Sequence, residues 1–311
     1  MTDEPGLAPL RQGGGCDTLR AMKSRDLGNT GLSVSAVGLG GVPLSVPETR
    51  PDEAAAIKVI HHAVDQGVTF IDTADSYGRG ETDMGHNERL FRSALAQLPA
   101  DVRDQLVVAT KAGFARPGGA WVPNGRPEYL RRQCEASLRN LGVERLDLLQ
   151  HHRPDPGVPI TESIGAFARL RDEGKVRFVG VSEYSVAQLD EAEAVTEIAS
   201  TQNQYSLAHR QPEQDGTLAA TRSRGLAFIP WSPLGGIGGA RDLSRRHPTV
   251  TNLAERLGVS PQQLAVAWLL SKGPQVIVIV GASRAASIED SARAVELELD
   301  ADHIVQIDEA T

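Results

Sequence analysis

Short runs of Val, Leu and Ile recur along this chain, and between them lie segments whose apolar residues repeat at helical spacing. Short apolar runs bounded by polar residues or glycine are typical of buried strands. The predicted strands cover residues 37–40, 68–71, 106–109, 146–149, 176–181, 201–203, 226–229 and 276–279. The predicted helices cover residues 52–66, 88–98, 127–141, 161–172, 186–198, 214–224, 250–257, 261–270 and 287–296.

Near-continuous apolar strands that alternate with helices are typical of a parallel sheet covered by helices. Eight such strands predict an α/β fold of the closed (β/α)8 TIM barrel type. An open doubly wound sheet is the alternative, but no Gly-x-Gly-x-x-Gly follows the first strand, which counts against a dinucleotide-binding half of that kind.

Smaller features surround this barrel pattern. A β-hairpin is predicted over residues 25–34, with its turn at residues 28–31. Residues 1–22 are rich in Gly, Pro and charge without periodicity, so they are expected to form a disordered tail ahead of one domain over residues 23–311. Thr161 is the expected cap of its helix, and the helix over 287–296 is expected to be the last, leaving a short tail and an open pocket.

Composition excludes several classes of protein. The chain of 311 residues carries a net charge of −8 with no basic cluster, so nucleic acid is not an expected partner. No apolar run approaches about 18 residues, so no membrane span is expected. Two cysteines, Cys16 and Cys134, are too few for a disulfide framework, and the N-terminus lacks an apolar signal region. These features predict a cytoplasmic protein.

Polar or aromatic side chains stand where successive predicted strands end, which is the rim on which barrel enzymes place their chemistry. Singly, each has a plain structural explanation: a turn cap, a solvated lysine, a core histidine or a core tryptophan. Their joint occurrence favours a site. The strand-end residues are Asp72, Lys111, His151, His152, Ser182, Glu183, Gln202, Trp231, Ser283 and Arg284, and Tyr77 follows Asp72 by five residues.

Four of these residue types can together form a proton donor. A tyrosine with a pKa of about 10 is a weak acid at neutral pH, and a neighbouring ammonium such as that of Lys111 should lower this pKa. Asp72 would keep Lys111 charged, and His152 could orient a carbonyl oxygen beside the Tyr77 hydroxyl. No metal site is expected, because His151 and His152 lack a further ligand at suitable spacing. No Gly-x-Ser-x-Gly elbow is present, which disfavours acyl hydrolysis.

These residues, in this order, resemble the aldo-keto reductase family. The resemblance extends from Arg25 to the last predicted helix. It is carried by residues 70–78 (FIDTADSYG), 107–113, 137–154 (SLRNLGVERLDLLQHHRP), 174–185 (GKVRFVGVSEYS), 202–205, 229–235 and 280–284. The resemblance implies a barrel whose base is closed by the hairpin, and an NADPH molecule bound along the rim without a Rossmann motif.

The resemblance also implies roles for individual residues. Tyr77 would be the general acid of carbonyl reduction, Asp72 and Lys111 would tune it, and His152 would orient the substrate carbonyl. His152 rather than His151 is chosen because it follows Asp147 by five residues, the family spacing. The residues expected at the cofactor are Ser182, Glu183, Gln202, Trp231, Ser232, Pro233, Leu234, Gly281, Ser283 and Arg284. Among these, Ser182 and Gln202 would bind the carboxamide, and Trp231 would stack on the nicotinamide ring.

Two positions depart from the usual pattern of that family. Glu183 stands where the family often has Asn, although some members have Glu. The loop after the eighth strand reads Ile279-Val280-Gly281 and lacks the lysine that would hold a 2′-phosphate, while Ser287 replaces an arginine of some members. Arg284 is the remaining cation, so NADPH is expected and NADH is less excluded than usual.

The substrate is the least specified part of the prediction. Trp121, in the loop over residues 113–126, is expected to form a pocket wall, and the loop over 235–247 could fold over the cofactor. Small aldehydes, ketones or a pyridoxal-like aldehyde are the expected small-molecule substrates, and a monomer or weak homo-oligomer is expected. The alternative functions are a non-enzymatic NADP(H)-binding module that senses redox state, and a structural protein.

Overall fold

A computed structural model describes residues 22–311 of the chain. The predicted tail therefore lies outside the described residues, except for Met22, which is partly buried against the core. The strands of the described region are β1 (Ser24–Asp26), β2 (Ser33–Ser35), β3 (Val37–Gly40), β4 (Phe70–Asp72), β5 (Val107–Ala112), β6 (Phe114–Ala115), β7 (Val122–Pro123), β8 (Leu146–His151), β9 (Val176–Ser182), β10 (Ser200–Gln202), β11 (Ala227–Phe228) and β12 (Val278–Gly281).

Eight of these strands form one parallel sheet, in the order β11-β10-β9-β8-β5-β4-β3-β12. A parallel bridge between Phe228 and Val276 joins its two ends, so the sheet closes into the predicted (β/α)8 barrel. Because the strands are parallel, their carboxyl ends meet at one rim. The predicted site residues stand at these strand ends, so they lie on this rim.

The predicted hairpin is present, and it covers the opposite end of the barrel. Strands β1 and β2 pair antiparallel, with Arg25 opposite Val34. Leu27 and Val34 are buried in the same apolar cluster as Ala199 and Ala227, near the starts of β10 and β11. Gly28 adopts a positive φ of 58°, and a Cβ there would lie 2.2 Å from the carbonyl oxygen of Ala199, so only glycine fits this close approach.

Helices surround the barrel. They are α1 (Glu53–Asp65), α2 (His86–Leu95), α3 (Ala100–Arg103), α4 (Pro127–Leu141), α5 (Ile160–Asp172), α6 (Val186–Glu193), α7 (Gln211–Gln214), α8 (Thr217–Arg224), α9 (Gly239–Arg246), α10 (Pro248–Leu257), α11 (Pro261–Ser271), α12 (Ala285–Ala292) and α13 (Ala301–Glu309). Their inward faces pack on the outer face of the sheet in one large cluster of buried side chains, and Cys134 is among them.

Several helix ends differ from the prediction. Pro159, not Thr161, is the N-cap of α5, because the carbonyl of Pro159 already accepts the first bonds from Glu162 and Ser163. Helix α6 ends at Glu193, five residues earlier than predicted. The predicted helix over 287–296 begins at Ala285, and its last turn is a 3-10 helix over Arg293–Glu296.

The expectation that the chain ends in a short tail after that helix is wrong, because α13 follows it. Only Ile307 of this helix is buried, so its apolar signal is weak. Polar contacts hold it instead: the indole N–H of Trp268 and the ammonium of Lys272 each lie 2.9 Å from Asp308 Oδ1. Helix α13 thus packs beside α11, on the outside of the barrel. Within residues 22–311, no helix combines the length and apolar content needed to cross a membrane.

Candidate active site

Asp72 and Lys111 form a buried ion pair at the rim of the barrel. They lie at the carboxyl ends of the paired strands β4 and β5, with the Lys111 Nζ 2.5 Å from the Asp72 Oδ2. Lys111 also donates a bond of 2.9 Å to the carbonyl of Thr73. Both side chains are at most 1% exposed. Such burial of two charges is tolerated where each is paired and hydrogen-bonded.

The second oxygen of Asp72 is held by two amides. Gln202 and Gln150 donate to Asp72 Oδ1 over 2.9 and 3.2 Å. Gln150 was not singled out by the sequence analysis. Strand register identifies Gln150, because this residue lies directly opposite Lys111 on the neighbouring strand β8. The carboxylate therefore has donors on both oxygens and one fixed orientation.

The phenol of Tyr77 reaches this pair from the loop after β4. Its oxygen lies 3.0 Å from Lys111 Nζ, and the side chain is buried. Burial raises the pKa of Tyr77 above its usual value, and the nearby charge of Lys111 lowers it by less. The predicted effect of Lys111 is therefore present, but burial outweighs it and the net shift of the Tyr77 pKa is upward. The phenol stays protonated well above neutral pH.

Lys111 also stays charged. Burial by itself lowers the pKa of Lys111, but the charges and hydrogen bonds of Asp72 and Tyr77 outweigh burial and leave it above its usual value. The arrangement is thus a protonated phenol beside a charged ammonium. The Tyr77 hydroxyl can release its proton to an acceptor beside the phenol oxygen, while Lys111 stabilises the phenolate left behind.

His152 stands beside Tyr77, with ring centroids 5.6 Å apart. Its Nδ1 lies 3.3 Å from the hydroxyl of Ser76. Burial and the neighbouring charges of Lys111 and Arg153 hold the pKa of His152 well below its usual range, so its imidazole is neutral. A neutral imidazole carries one N–H donor and one acceptor nitrogen.

The adjacent His151 points the other way, toward the helix layer. Its Nδ1 lies 2.7 Å from the hydroxyl of Tyr184, and its ring packs 5.7 Å from that of Phe167 on α5. This opposite direction follows from the alternation of side chains along a strand. Burial lowers the pKa of His151 to about 4. The part of the chain that the structure describes contains no group of three or more His, Cys, Asp or Glu side chains placed to bind a metal.

An aromatic wall stands over His152. Phe114 and Trp121 come from the short hairpin of β6 and β7, and their centroids lie 4.7 and 6.3 Å from that of His152. Trp121 is also 6.3 Å from the ring of Tyr77. It is 43% exposed, so a large apolar face borders the opening beside these two rings.

Arg116, which the sequence analysis did not identify, links this wall to Tyr77. Its guanidinium lies 3.7 Å from the centroid of the Trp121 ring and donates 2.6 and 3.3 Å bonds to the carbonyls of Ser76 and Gly78. Those two residues flank Tyr77 in the chain. No local sequence pattern marks such a contact, because it depends on how two loops fold together.

The predicted cofactor residues on β9, β10 and the following loops lie close together. The indole N–H of Trp231 donates to Glu183 Oε1 over 2.6 Å, and Ser182 Oγ donates to the carbonyl of Gln202 over 2.8 Å. Glu183 and Ser232 have positive φ angles of 58° and 53°. Non-glycine residues held in this region are strained, and such strain concentrates at functional sites. Pro233 is buried and Leu234 is half-buried.

The remaining predicted cofactor residues lie at the end of β12 and just after it, on the same rim. Gly281 faces Pro43, whose Cγ would lie 2.7 Å from a Cβ at this position. Ser283 is half-buried and Arg284 is exposed at the start of α12. Within residues 22–311, Arg284 makes no ion pair, and its closest side-chain partner is the hydroxyl of Ser287 at 3.5 Å. The loop over 235–247 contains α9.

Comparisons with known proteins identify relatives of this chain. The model of the aldo/keto reductase family matches residues 36–311. A probable aldo-keto reductase 1 of Glycine max is 34% identical, covering 91% of this chain and 87% of that protein. An uncharacterized oxidoreductase of Schizosaccharomyces pombe is 33% identical, covering 89% of this chain and 87% of that protein.

Two solved structures have the same fold. The thermostable aldo-keto reductase Tm1743, in complex with the inhibitor epalrestat, has a TM-score of 0.80 at 29% identity and covers 93% of this chain and 100% of its own. The glycerol dehydrogenase AKR11B4 from Gluconobacter oxydans has a TM-score of 0.79 at 26% identity and covers 92% of this chain and 94% of its own.

Proposed function

The chain belongs to the aldo/keto reductase family of oxidoreductases, and we propose that it is an NADPH-dependent reductase of aldehydes or ketones. The observation that carries this proposal is the position of the Tyr77 hydroxyl, 3.0 Å from the ammonium that Asp72 holds. A buried, protonated phenol at an open rim suits the donation of a proton to a carbonyl oxygen. Family membership favours this enzyme over a non-enzymatic redox sensor.

The residues of the rim fit a nicotinamide nucleotide. Trp231 offers a half-buried indole whose N–H is fixed by Glu183, and Arg284 offers a guanidinium without an acidic partner in the described region. When bound, NADPH supplies the hydride that reduction requires. We propose that Trp231 supports the nicotinamide ring and that Arg284 binds the 2′-phosphate, which a planar guanidinium suits.

Two polar side chains near Asp72, Gln202 and Ser182, are placed to hydrogen-bond the carboxamide of the nicotinamide ring. The side-chain nitrogen of Gln202 is committed to Asp72 Oδ1, which leaves the side-chain oxygen Oε1 as an acceptor. The hydroxyl of Ser182 donates to the backbone carbonyl of Gln202, so the lone pairs of that hydroxyl are also acceptors. Both groups therefore suit the N–H2 side of a carboxamide. Asp72 connects the proposed carboxamide site to the proton donor, because it binds Gln202 through one oxygen and Lys111, the partner of Tyr77, through the other.

In the proposed reaction, Tyr77 donates its proton to the substrate oxygen, which becomes the hydroxyl of the alcohol. Lys111 stabilises the phenolate that remains, and Asp72 keeps the ammonium oriented. His152 holds the carbonyl oxygen from the side: when its Nδ1 accepts from Ser76, its Nε2 carries the proton and is the donor. Phe114 and Trp121 form the wall against which the organic part of the substrate lies.

The test is titration of the purified protein with NADPH and with NADH, followed by NADPH oxidation with a panel of aldehydes and ketones. Tight NADPH binding and turnover would support the proposal. Binding without turnover of any carbonyl compound would favour the sensor, and failure to bind either nucleotide would remove the cofactor assignments. The cytoplasmic location and the monomeric or weakly oligomeric state stay predictions.

A further inference from the structure

Arg153 follows His152 directly and lies at the mouth of the site. Its guanidinium carbon is 5.8 Å from the centroid of Phe114 and 5.8 Å from that of Trp231. These two rings belong to the proposed substrate wall and to the proposed nicotinamide support. The side chain is 31% exposed, so the guanidinium is reachable from the opening rather than enclosed. Its charge also favours the phenolate form of Tyr77.

The hydrogen-bonding capacity of Arg153 is largely unused. In the described region it has one acidic partner, Glu183, with Nη1 and Oε2 3.2 Å apart. The other oxygen of Glu183 already accepts from the indole of Trp231 and from the backbone N–H of Gln204. A guanidinium has five N–H donors in a planar fork. Arg153 can therefore keep its contact with Glu183 and still present donors to a second anion.

Arg153 is the cation of this site that an anion can reach. The ion pair of Lys111 with Asp72 is buried, and Arg116 is buried with Glu48 as its nearby acidic charge. Arg153 is 31% exposed, with Glu183 as its acidic partner in the described region. His152 adds no charge, because its imidazole is neutral. Asp75 is buried beneath the loop, where burial and the charge of Glu88 raise its pKa well above the usual value and favour its neutral acid form.

Building on the proposed carbonyl reduction, we propose that Arg153 binds an anionic group of the substrate, a carboxylate or a phosphate, carried a few atoms from the reacting carbonyl. Arginine suits both groups, because its fork matches two oxygens at once. With His152 holding the carbonyl oxygen, the adjacent Arg153 would hold the other end of the molecule. The preferred substrates are then acidic aldehydes or ketones, and neutral carbonyl compounds are poorer ones.

The experiment compares matched substrates with the NADPH-loaded enzyme. Succinic semialdehyde against butanal tests a carboxylate, and glyceraldehyde 3-phosphate against glyceraldehyde tests a phosphate. In each pair, kcat/KM for the charged member divided by that for the neutral member is the quantity measured. We expect a ratio of about ten or more for at least one pair, and the pair that shows it identifies the anion. Ratios near one for both pairs would overturn the inference.

Variants then assign the preference to Arg153. The R153Q enzyme should show a ratio near one, and R153K should keep part of the preference. R103Q, which removes the same charge from an exposed position on α3, should keep all of it. A preference that persists in R153Q together with weakened NADPH binding would assign Arg153 to the cofactor and contradict the inference.

A double variant separates direct binding from a side effect on Glu183. Removing Arg153 leaves Glu183 without its cation, and the freed carboxylate could itself repel an anion. If Arg153 binds the anion directly, the double variant R153Q/E183Q should still lack the preference. If the preference returns in the double variant, repulsion by Glu183 explains the loss and Arg153 is not the binding group.

A binding measurement separates failure of this inference from failure of the proposed reaction. Trp231 lies 5.8 Å from the Arg153 guanidinium, and Trp121 packs on Phe114, which is 5.8 Å from the same guanidinium. Quenching of tryptophan fluorescence by succinate or inorganic phosphate therefore reports on anions at the mouth. Binding to the NADPH-loaded wild type, with at least tenfold weaker binding to R153Q, supports the anion site even without turnover. Equal binding to both proteins contradicts it, whatever the enzyme does to aldehydes.

Discussion

The hydroxyl of Tyr77 lies 3.0 Å from the ammonium of Lys111, yet the pKa of Tyr77 is above its usual value. Proximity to a cation lowers a tyrosine pKa, and complete burial raises it. Burial has the larger effect at this site. The arrangement therefore keeps the proton on the phenol until an acceptor arrives, and the benefit of Lys111 is felt by the phenolate that forms during reaction.

Replacing Tyr77 with Phe removes the proposed acid but little volume. We expect kcat for carbonyl reduction to fall by about 10² to 10⁴, the usual contribution of a positioned acid. The Kd for NADPH should change less than about twofold, because the proposed nucleotide contacts lie elsewhere. Tyr205→Phe is the control, since its hydroxyl contacts Glu213 of α7. Turnover retained in Tyr77→Phe would remove the acid role.

The pH profile follows from the direction of the Tyr77 pKa. An acid must be protonated, so its contribution is lost as the pH rises through its pKa. Burial raises that pKa above the usual value of a tyrosine. The kcat/KM for reduction should therefore stay nearly constant from about pH 7 to pH 9. A fall with a midpoint below pH 9 would show that another group with a lower pKa supplies the proton.

Arg116 should affect Tyr77 without touching the reacting atoms. Arg116→Met removes the bonds to the carbonyls of Ser76 and Gly78 while keeping an unbranched side chain. Because small displacements of a catalytic group cost up to about 10²-fold in rate, we expect kcat to fall at least tenfold with NADPH affinity unchanged. Arg126→Met is the control, with a side chain 64% exposed on the same loop. Equal kcat values for the two variants would contradict a positioning role.

Arg284 tests the preference for the nucleotide. Arg284→Ala should weaken NADPH binding about tenfold and leave NADH binding nearly unchanged, because only NADPH carries a 2′-phosphate. Arg293→Ala, beyond the other end of α12, removes a similarly exposed arginine that pairs with Glu289 instead. Fluorescence titration with both nucleotides gives the comparison. Equal losses for NADPH and NADH would place Arg284 away from the 2′-phosphate.

His151 makes stability depend on pH. Its pKa is about 4 in the folded protein and about 6.5 in an unfolded chain. Below pH 6.5 the unfolded state therefore binds more protons, and stability falls as the pH drops toward 4. This histidine should account for about 2 kcal/mol of the stability lost between pH 7.5 and pH 5.

Urea denaturation at these two pH values measures the effect. His151→Gln keeps a polar partner for Tyr184 but cannot take up a proton, so its loss of stability should be smaller by about that amount. His209→Gln, at a half-buried position in the loop after β10, should behave like the wild type. The idea fails if the two variants show the same dependence on pH.

The barrel could be predicted from the sequence because its information is local. Each apolar run indicates one strand, and the residues that end the strands meet on one rim once the strands are parallel. Contacts that depend on distant loops could not be read in this way. Gln150 acquires its partner Asp72 only through the register of neighbouring strands, and Arg116 reaches Ser76 only because two loops fold together.

The wrong predictions concern features for which the local sequence pattern is weak or ambiguous. Helix α13 buries only Ile307, so it lacks the apolar face by which other helices are recognised. Thr161 has the side chain of a cap, but the backbone of Pro159 begins the helix two residues earlier. The pKa of Tyr77 could not be predicted from its neighbours in sequence, because the degree of burial is a property of the folded site.

The pairing of β3 with β12 has a consequence for synthesis in the cell. The first barrel strand finds one of its two neighbours only when Val278–Gly281 has left the ribosome. Until then, the nascent chain carries an unpaired apolar strand edge, which is a template for association with other chains. Chains that stop before β12 should therefore aggregate or remain bound to chaperones, and the yield of this protein should depend on how quickly the segment that carries β12 is translated.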